Sequence, residues 1–246
     1  MGAATPASPS QSGRDSRAGT HAVLLRAYWT TTTGVFAFAL WLALFYAPVH
    51  DSMGLVQKLV YLHIPSAAAS LVASASVFIA SVAVLWTRAS TWDAVNNAAT
   101  RVAVIASATV LITGMIWGKS YWGVWWTWSP RLTFTLVLFV LYASLQLLRR
   151  FLQPASRRVT VCAILGIIAF LDAPLVYLSV RLLPDVHPTS VPMTHDMRQT
   201  LAVWFVLAGL ICLGLICTPF LRRTQSTPPT AHAPPPNESA ISHSVS

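Results

Sequence analysis

The chain reads as an all-α polytopic membrane protein with six transmembrane helices and both termini cytoplasmic. Three observations predict this. Of its 246 residues, 55% are hydrophobic and only 9% charged, whereas about a quarter of the residues of a soluble domain are charged. Uncharged runs of 17 to 29 residues recur along the chain, long enough to cross about 30 Å of hydrocarbon at 1.5 Å per residue. The cations are also unevenly divided between alternate connecting segments. A net charge of +9 would suggest nucleic acid in a soluble protein. Here the cations sit in short segments between apolar runs, so bilayer orientation accounts for them and nucleic acid is set aside.

Residues 1–26 are rich in Ala, Ser, Pro, Gly and Thr and carry Arg14, Arg17 and Arg26, a composition that reads as a disordered basic tail. It resembles the charged lead of a signal peptide, but the uncharged run that follows, 27–50, has the length of a span and no convincing small-x-small cleavage site after it, so it reads as an uncleaved first helix. Counting between charges places the other spans at 59–87, 102–118, 132–148, 159–180 (interrupted by Asp172) and 199–221. Residues 27–223 then form one six-helix domain. The segment 224–246, with Pro228, Pro229 and Pro234 to Pro236, reads as a disordered Pro-rich tail.

With the N-terminus inside, the inner segments hold eleven cations, Arg14, Arg17, Arg26, Arg88, Arg101, Arg149, Arg150, Arg157, Arg158, Arg222 and Arg223; the outer ones hold five, Lys58, Lys119, Arg131, Arg181 and Arg198. The excess inside sets the orientation. The outer face then gathers 48–62, the stretch 116–133 and 181–198, with His63 at the mouth of the second helix and His187 in the last outer loop. Cys162, Cys212 and Cys217 lie inside apolar runs without a Cys-x-x-Cys pair, and are expected to be packing thiols.

The stretch 116–133 holds five of the ten tryptophans, Trp117, Trp122, Trp125, Trp126 and Trp128. Indoles at a membrane surface form either an aromatic belt or the wall of a site for a flat apolar ligand. Trp122, Trp125 and Trp126 stand at i, i+3 and i+4, so a short interfacial helix would place them on one face, while Gly118 and Gly123 would let a flat ligand approach the backbone. Imidazole is a usual axial ligand of haem iron. Two histidines beside an aromatic surface with cations at its ends suit a porphyrin, although a histidine at a helix mouth also fits a hydrogen-bonded interfacial residue.

Trp117-Gly118-Lys119, then Trp122-Gly123-Val124-Trp125-Trp126-Thr127-Trp128 and Arg131-Leu132-Thr133, closely resemble the tryptophan-rich signature of the haem-handling membrane proteins of cytochrome c biogenesis. Within that group the chain is similar to the CcmC branch, the haem exporter protein C family. Tyr61-Leu62-His63-Ile64-Pro65 resembles the family's tyrosine-x-histidine-x-proline segment, and Tyr177, Ser179, Val180 and His187 resemble the segment around its second outer histidine. The resemblance covers roughly residues 58–200. It implies a bacterial inner-membrane protein that holds non-covalent haem b as cargo at the periplasmic face, with His63 and His187 as axial ligands and Trp122, Trp125, Trp126 and Trp128 shielding one porphyrin face. It also implies delivery to a periplasmic haem chaperone (CcmE), together with an ABC-type complex (CcmA and CcmB) and a small membrane subunit (CcmD).

The family has aspartate after the last tryptophan of the signature; this chain has Ser129 followed by Pro130. Ser and Asp are both good N-caps and Pro is favoured as the first helical residue, so a preserved cap with a lost negative charge is expected. Arg131 is expected to meet a propionate, since a guanidinium binds a carboxylate with two hydrogen bonds. Lys119 fits a snorkelling cation as well as a propionate partner. Asp172, near the middle of the fifth span and followed by Pro174, reads as a structural acid hydrogen-bonded to backbone opened by the proline. No nucleophile, acid–base pair or phosphate loop is visible, so the chain reads as a haem delivery subunit and not an enzyme. The competing readings are a haem lyase of the sister branch acting directly on apocytochrome c, and a solute or proton transporter using Asp172 with its tryptophans as a plain belt.

Overall fold

In hydrocarbon every backbone N–H and C=O must be satisfied within the chain, and among continuous spans of this length only helices achieve that. The structure, a computed structural model, describes residues 11–49, 54–183, 187 and 191–225. Among them are seven α-helices: α1 (Gln11–Trp41), continued by a π-helical turn over Leu42–Tyr46; α2 (Val60–Thr87), entered through a 3-10 stretch over Gly54–Leu59; α3 (Ser90–Trp122); α4 (Pro130–Phe151); α5 (Ala155–Phe170); α6 (Asp172–Leu182); and α7 (His195–Gln225). Six helical segments are long and apolar enough to span: Gly19–Tyr46, Gly54–Thr87, Ser90–Trp122, Pro130–Phe151, Ala155–Ser179 and His195–Thr218. The fifth combines α5 with most of α6.

The boundaries differ from a count between charges. α1 is already helical at Gln11, the first described residue, inside the stretch expected to be tail. α3 starts twelve residues before the expected 102 and passes through Asp93 and Arg101, because a charge ends a span only if it has no partner or no route to the surface. Arg101 is exposed, and Asp93 is paired. α5 breaks at Leu171, three residues before Pro174, whose missing N–H leaves the Phe170 carbonyl without its helical donor. Asp172 follows that break. It is 7% exposed, and its Oδ2 finds no hydrogen-bond partner among the described residues, so the expected bond from this oxygen to the opened backbone is not made. Residues 1–10, His50 and the tail beyond Gln225 lie outside the described residues.

Small side chains let the helices approach, as is common in membrane interfaces. The central core joins Ala73 and Val77 of α2, Ala99 and Ala103 of α3, Leu138 and Tyr142 of α4, Cys162 of α5, Ala173 of α6 and Cys212 of α7. A second cluster ties α1 to α7 through Ala39, Trp204 and Leu207; there the Trp204 indole donates to the Ala39 carbonyl at 3.0 Å. Gly214 is required at this seam, since a Cβ on it would lie 2.6 Å from Tyr28 Cε1. Hydroxyls inside the bundle return their protons to their own helices, as Ser74 does to the Ser70 carbonyl (2.7 Å) and Thr100 to that of Asn96 (2.7 Å).

Four polar side chains pin α2, α3 and α4 near one end of the bundle. Arg149 pairs with Asp93 at 2.7 Å, with 8% and 12% of the two side chains exposed. Arg149 also donates to Asn96 Oδ1, and Asn96 Nδ2 donates to Ser81 Oγ at 2.7 Å. The opposite end carries the start of α2, the end of α3, the start of α4 and the approach to α7, and the candidate site lies there. Breaking a buried pair strands the remaining charge, so Arg149→Ala should lower stability by about 3 kcal/mol, with Arg150→Ala nearly neutral. Thermal unfolding in detergent measures this, and adding Asp93→Ala to Arg149→Ala should recover part of the loss.

Candidate functional site

A cavity of about 390 Å3 opens between α2, α3, α4, α6 and α7 and is lined mainly by apolar side chains. That volume suits a small organic ligand, for which sites run roughly 300–1,000 Å3. His63, from the first turn of α2, and His187, after α6, both line it, as do Trp122 at the end of α3 and Arg131 at the start of α4. The imidazole centroids of His63 and His187 are 6.1 Å apart, with the ring planes at 26°. Two imidazoles on opposite sides of one metal ion, with metal–nitrogen bonds of about 2.0 Å, have centroids about 6 Å apart. The separation matches that distance, and both rings line the same cavity.

Each histidine is held by a neighbour. His63 Nδ1 lies 2.9 Å from Thr113 Oγ1, and the Thr113 hydroxyl donates to the Thr109 carbonyl at 2.6 Å. Its oxygen consequently accepts from His63, which carries its proton on Nδ1 and presents Nε2. This is the usual support for a metal-binding histidine. Gly114 gives the ring room: a Cβ there would sit 3.4 Å from His63 Cε1. On the other side Arg131 Nη1 lies 3.1 Å from His187 Nδ1.

The tryptophans divide into two groups. α3 ends at Gly123, whose φ of 76° is left-handed and natural to glycine. Trp125, Trp126 and Trp128 therefore follow in irregular chain, and the single helical face expected for Trp122, Trp125 and Trp126 is not formed. A Cβ on Gly118 would be in ordinary contact with this turn, 3.4 Å from the Val124 carbonyl oxygen and 3.5 Å from Trp122 Cε3. Trp122 lines the cavity with Trp117, the two indoles meeting edge to face at 5.8 Å. Trp125 and Trp128 are 55% and 76% exposed, and with the half-buried Trp126 they stand outside the cavity lining. Lys119 also points elsewhere, donating to the Gly123 carbonyl at 3.0 Å.

Sequence reasoning missed Thr113, Gly114 and Trp117 as parts of the site. A signal existed: Thr113 is a polar residue within an apolar span, one turn before Trp117 and on the same helix face. Ser129 occupies the expected N-cap position of α4 with Pro130 as first residue, but its side chain makes no capping bond. Its carbonyl instead accepts from the Thr133 N–H at 3.0 Å, while its hydroxyl is buried without a partner among the described residues. The expectation of a side-chain cap is thus not met, because the hydroxyl is turned inward.

Residues 12–227 match the family model described as Heme exporter protein C. A Bradyrhizobium diazoefficiens protein named Heme exporter protein C is 32% identical over 146 residues, 59% of this chain and 56% of that protein. The Escherichia coli K12 protein of the same name is 29% identical over 171 residues, 68% and 69% of the two chains. A Marchantia polymorpha protein, named as a ccmC-like mitochondrial protein of cytochrome c biosynthesis, is 29% identical over 154 residues, 63% of this chain and 65% of that one. The match thus spans a little over half the length of the Bradyrhizobium relative and just under two thirds of the Marchantia one.

Two outcomes follow from this geometry. Thr113→Val should lower the affinity for a metalloporphyrin by about 10- to 100-fold, the usual cost of losing a ligand's supporting hydrogen bond, with Thr113→Ser restoring it; titration in detergent reads this. Ser129→Ala should leave thermal stability unchanged or raise it by up to about 1 kcal/mol, because it removes an unpaired buried hydroxyl.

Proposed function

The chain belongs to the Heme exporter protein C family, and on that premise we propose that it binds haem b non-covalently and presents it for cytochrome c maturation. His63 and His187 hold the iron, Trp117 and Trp122 wall the macrocycle, and Arg131 meets a propionate. The observation that carries the reading is the pairing of the two imidazoles, 6.1 Å apart within an apolar cavity. An apolar, largely water-free wall favours a flat macrocycle, and the few polar groups at the mouth of the cavity suit its carboxylates.

The site lies at the bundle end that the cation count places outside, which makes it the periplasmic face of a bacterial inner membrane with both termini cytoplasmic. The haem is cargo, and its release requires an acceptor to displace one histidine. A periplasmic chaperone of the CcmE kind fills that role, with a CcmA/CcmB-like ABC-type complex supplying energy from ATP and a CcmD-like small subunit alongside. Trp125 and Trp128, exposed beside the cavity, supply an aromatic surface for the acceptor, so they act in presentation and not as the macrocycle's platform. The Bradyrhizobium and Escherichia coli relatives are named as exporters, and the residues around the cavity suit holding and orienting a ligand. The chain accordingly acts as a delivery subunit.

The purified protein from haem-replete cells should show the absorption spectrum of a six-coordinate, bis-imidazole haem. His63→Ala and His187→Ala should each abolish that spectrum. A colourless wild-type protein, or spectra that neither substitution alters, would refute the assignment.

A further inference from the structure

The two candidate ligands are held in opposite tautomers. His63 donates from Nδ1 to Thr113, which leaves the Nε2 lone pair available. His187 is the reverse case. Its Nδ1 faces Arg131 Nη1 at 3.1 Å, and a guanidinium has five donors, no acceptor, and keeps its charge. His187 Nδ1 must therefore accept, and the proton of the neutral ring sits on Nε2. A ring whose Nδ1 lone pair is committed to Arg131 and whose Nε2 carries a proton has no lone pair left for a metal.

We propose that Arg131 is a carboxylate-released latch on His187, so that the second axial bond forms only to a metalloporphyrin that brings a free carboxylate to Arg131. The proposal rests on the reading of His63 and His187 as iron ligands. A carboxylate is a better partner for a guanidinium than an imidazole nitrogen, since it carries the opposite charge and can accept two parallel hydrogen bonds, whereas the ring nitrogen is a neutral acceptor of one. When Arg131 turns to the propionate, His187 regains a lone pair. The ring stays neutral throughout: it either binds through Nδ1, or passes its Nε2 proton to water while taking one at Nδ1 and binds through Nε2. Iron loses nothing but a weak or absent sixth ligand in this step, and its oxidation state is unchanged.

The latch gives binding an order and a selectivity that two preformed ligands lack. His63 takes iron first, and His187 follows only when the carboxylate edge is seated. A porphyrin without that carboxylate stays attached through His63 alone. Loss of the carboxylate contact reverses the sequence, because Arg131 then competes with iron for His187.

The full-length protein in detergent micelles, loaded with ferric haem b or with its dimethyl ester, tests this through the absorption and electron paramagnetic resonance signatures of coordination number. Wild type should give a six-coordinate, low-spin species with the free acid and a five-coordinate, high-spin species, or no binding, with the ester. Arg131→Ala should convert the ester complex to six-coordinate, low-spin while weakening retention of the free acid. A six-coordinate ester complex in wild type, or the same coordination of the ester in wild type and Arg131→Ala, would overturn the latch while leaving the two-histidine reading intact. Should Arg131→Ala not fold, the comparison of acid with ester in wild type decides alone. A free-acid spectrum that survives His187→Ala would instead overturn the reading on which the latch stands.

Discussion

Ala73 and Val77 on α2 pack with Ala99 and Ala103 on α3, and these small side chains bring two long helices into the most extensive interface of the bundle. Because the turn at Arg88 and Ala89 joins them at one end, their register at the other end is determined over their whole length. That register sets His63 against Thr113 and leaves Gly114 no side chain to obstruct the ring. In a membrane there is no hydrophobic gain from helix association itself, so close packing and internal hydrogen bonds carry it. The Arg149, Asp93, Asn96 and Ser81 network performs that task at the far end.

From this seam the rest of the site follows by chain continuity. α3 ends at Trp122 and α4 starts at Pro130, so seven residues bridge them and carry Trp125, Trp126 and Trp128 around the rim. Trp122 stays on the helix and Arg131 lies one residue into the next one, which keeps both at the cavity wall. The tryptophan stretch is thus divided: Trp117 and Trp122 of its helical part line the cavity, and Trp125 and Trp128 of its irregular part are exposed.

Buried polar groups without partners concentrate in that same segment. Trp126 Nε1, Thr127 Oγ1 and Ser129 Oγ all lack a hydrogen-bond partner among the described residues. Burying such groups unpaired costs about 1–3 kcal/mol each, and real proteins depart from local rules chiefly where function requires it. Inside the bundle the hydroxyls of Ser74, Thr100 and Ser107 return to their own helices' carbonyls, while those of Tyr61 and Tyr142 are also buried without a partner among the described residues.

Composition alone determined that this chain is helical and crosses a membrane about six times, because a bilayer permits long apolar runs few other conformations. Residue type, together with the resemblance carried by the tryptophan-rich stretch, also singled out His63, His187, Trp122 and Arg131, which do line one cavity. Helix ends were less legible: charges were used to delimit spans, yet Asp93 is neutralised by Arg149 from a helix more than fifty residues away, and no local pattern reveals that. Nor does spacing tell where α3 terminates, so the facing of Trp125 and Trp126 was decided by the left-handed turn at Gly123. Only tertiary structure could supply Thr113 behind one histidine and Arg131 before the other. Hydrogen-bond partners distant in sequence set which nitrogen of each imidazole carries the proton, and that is a property of the assembled site.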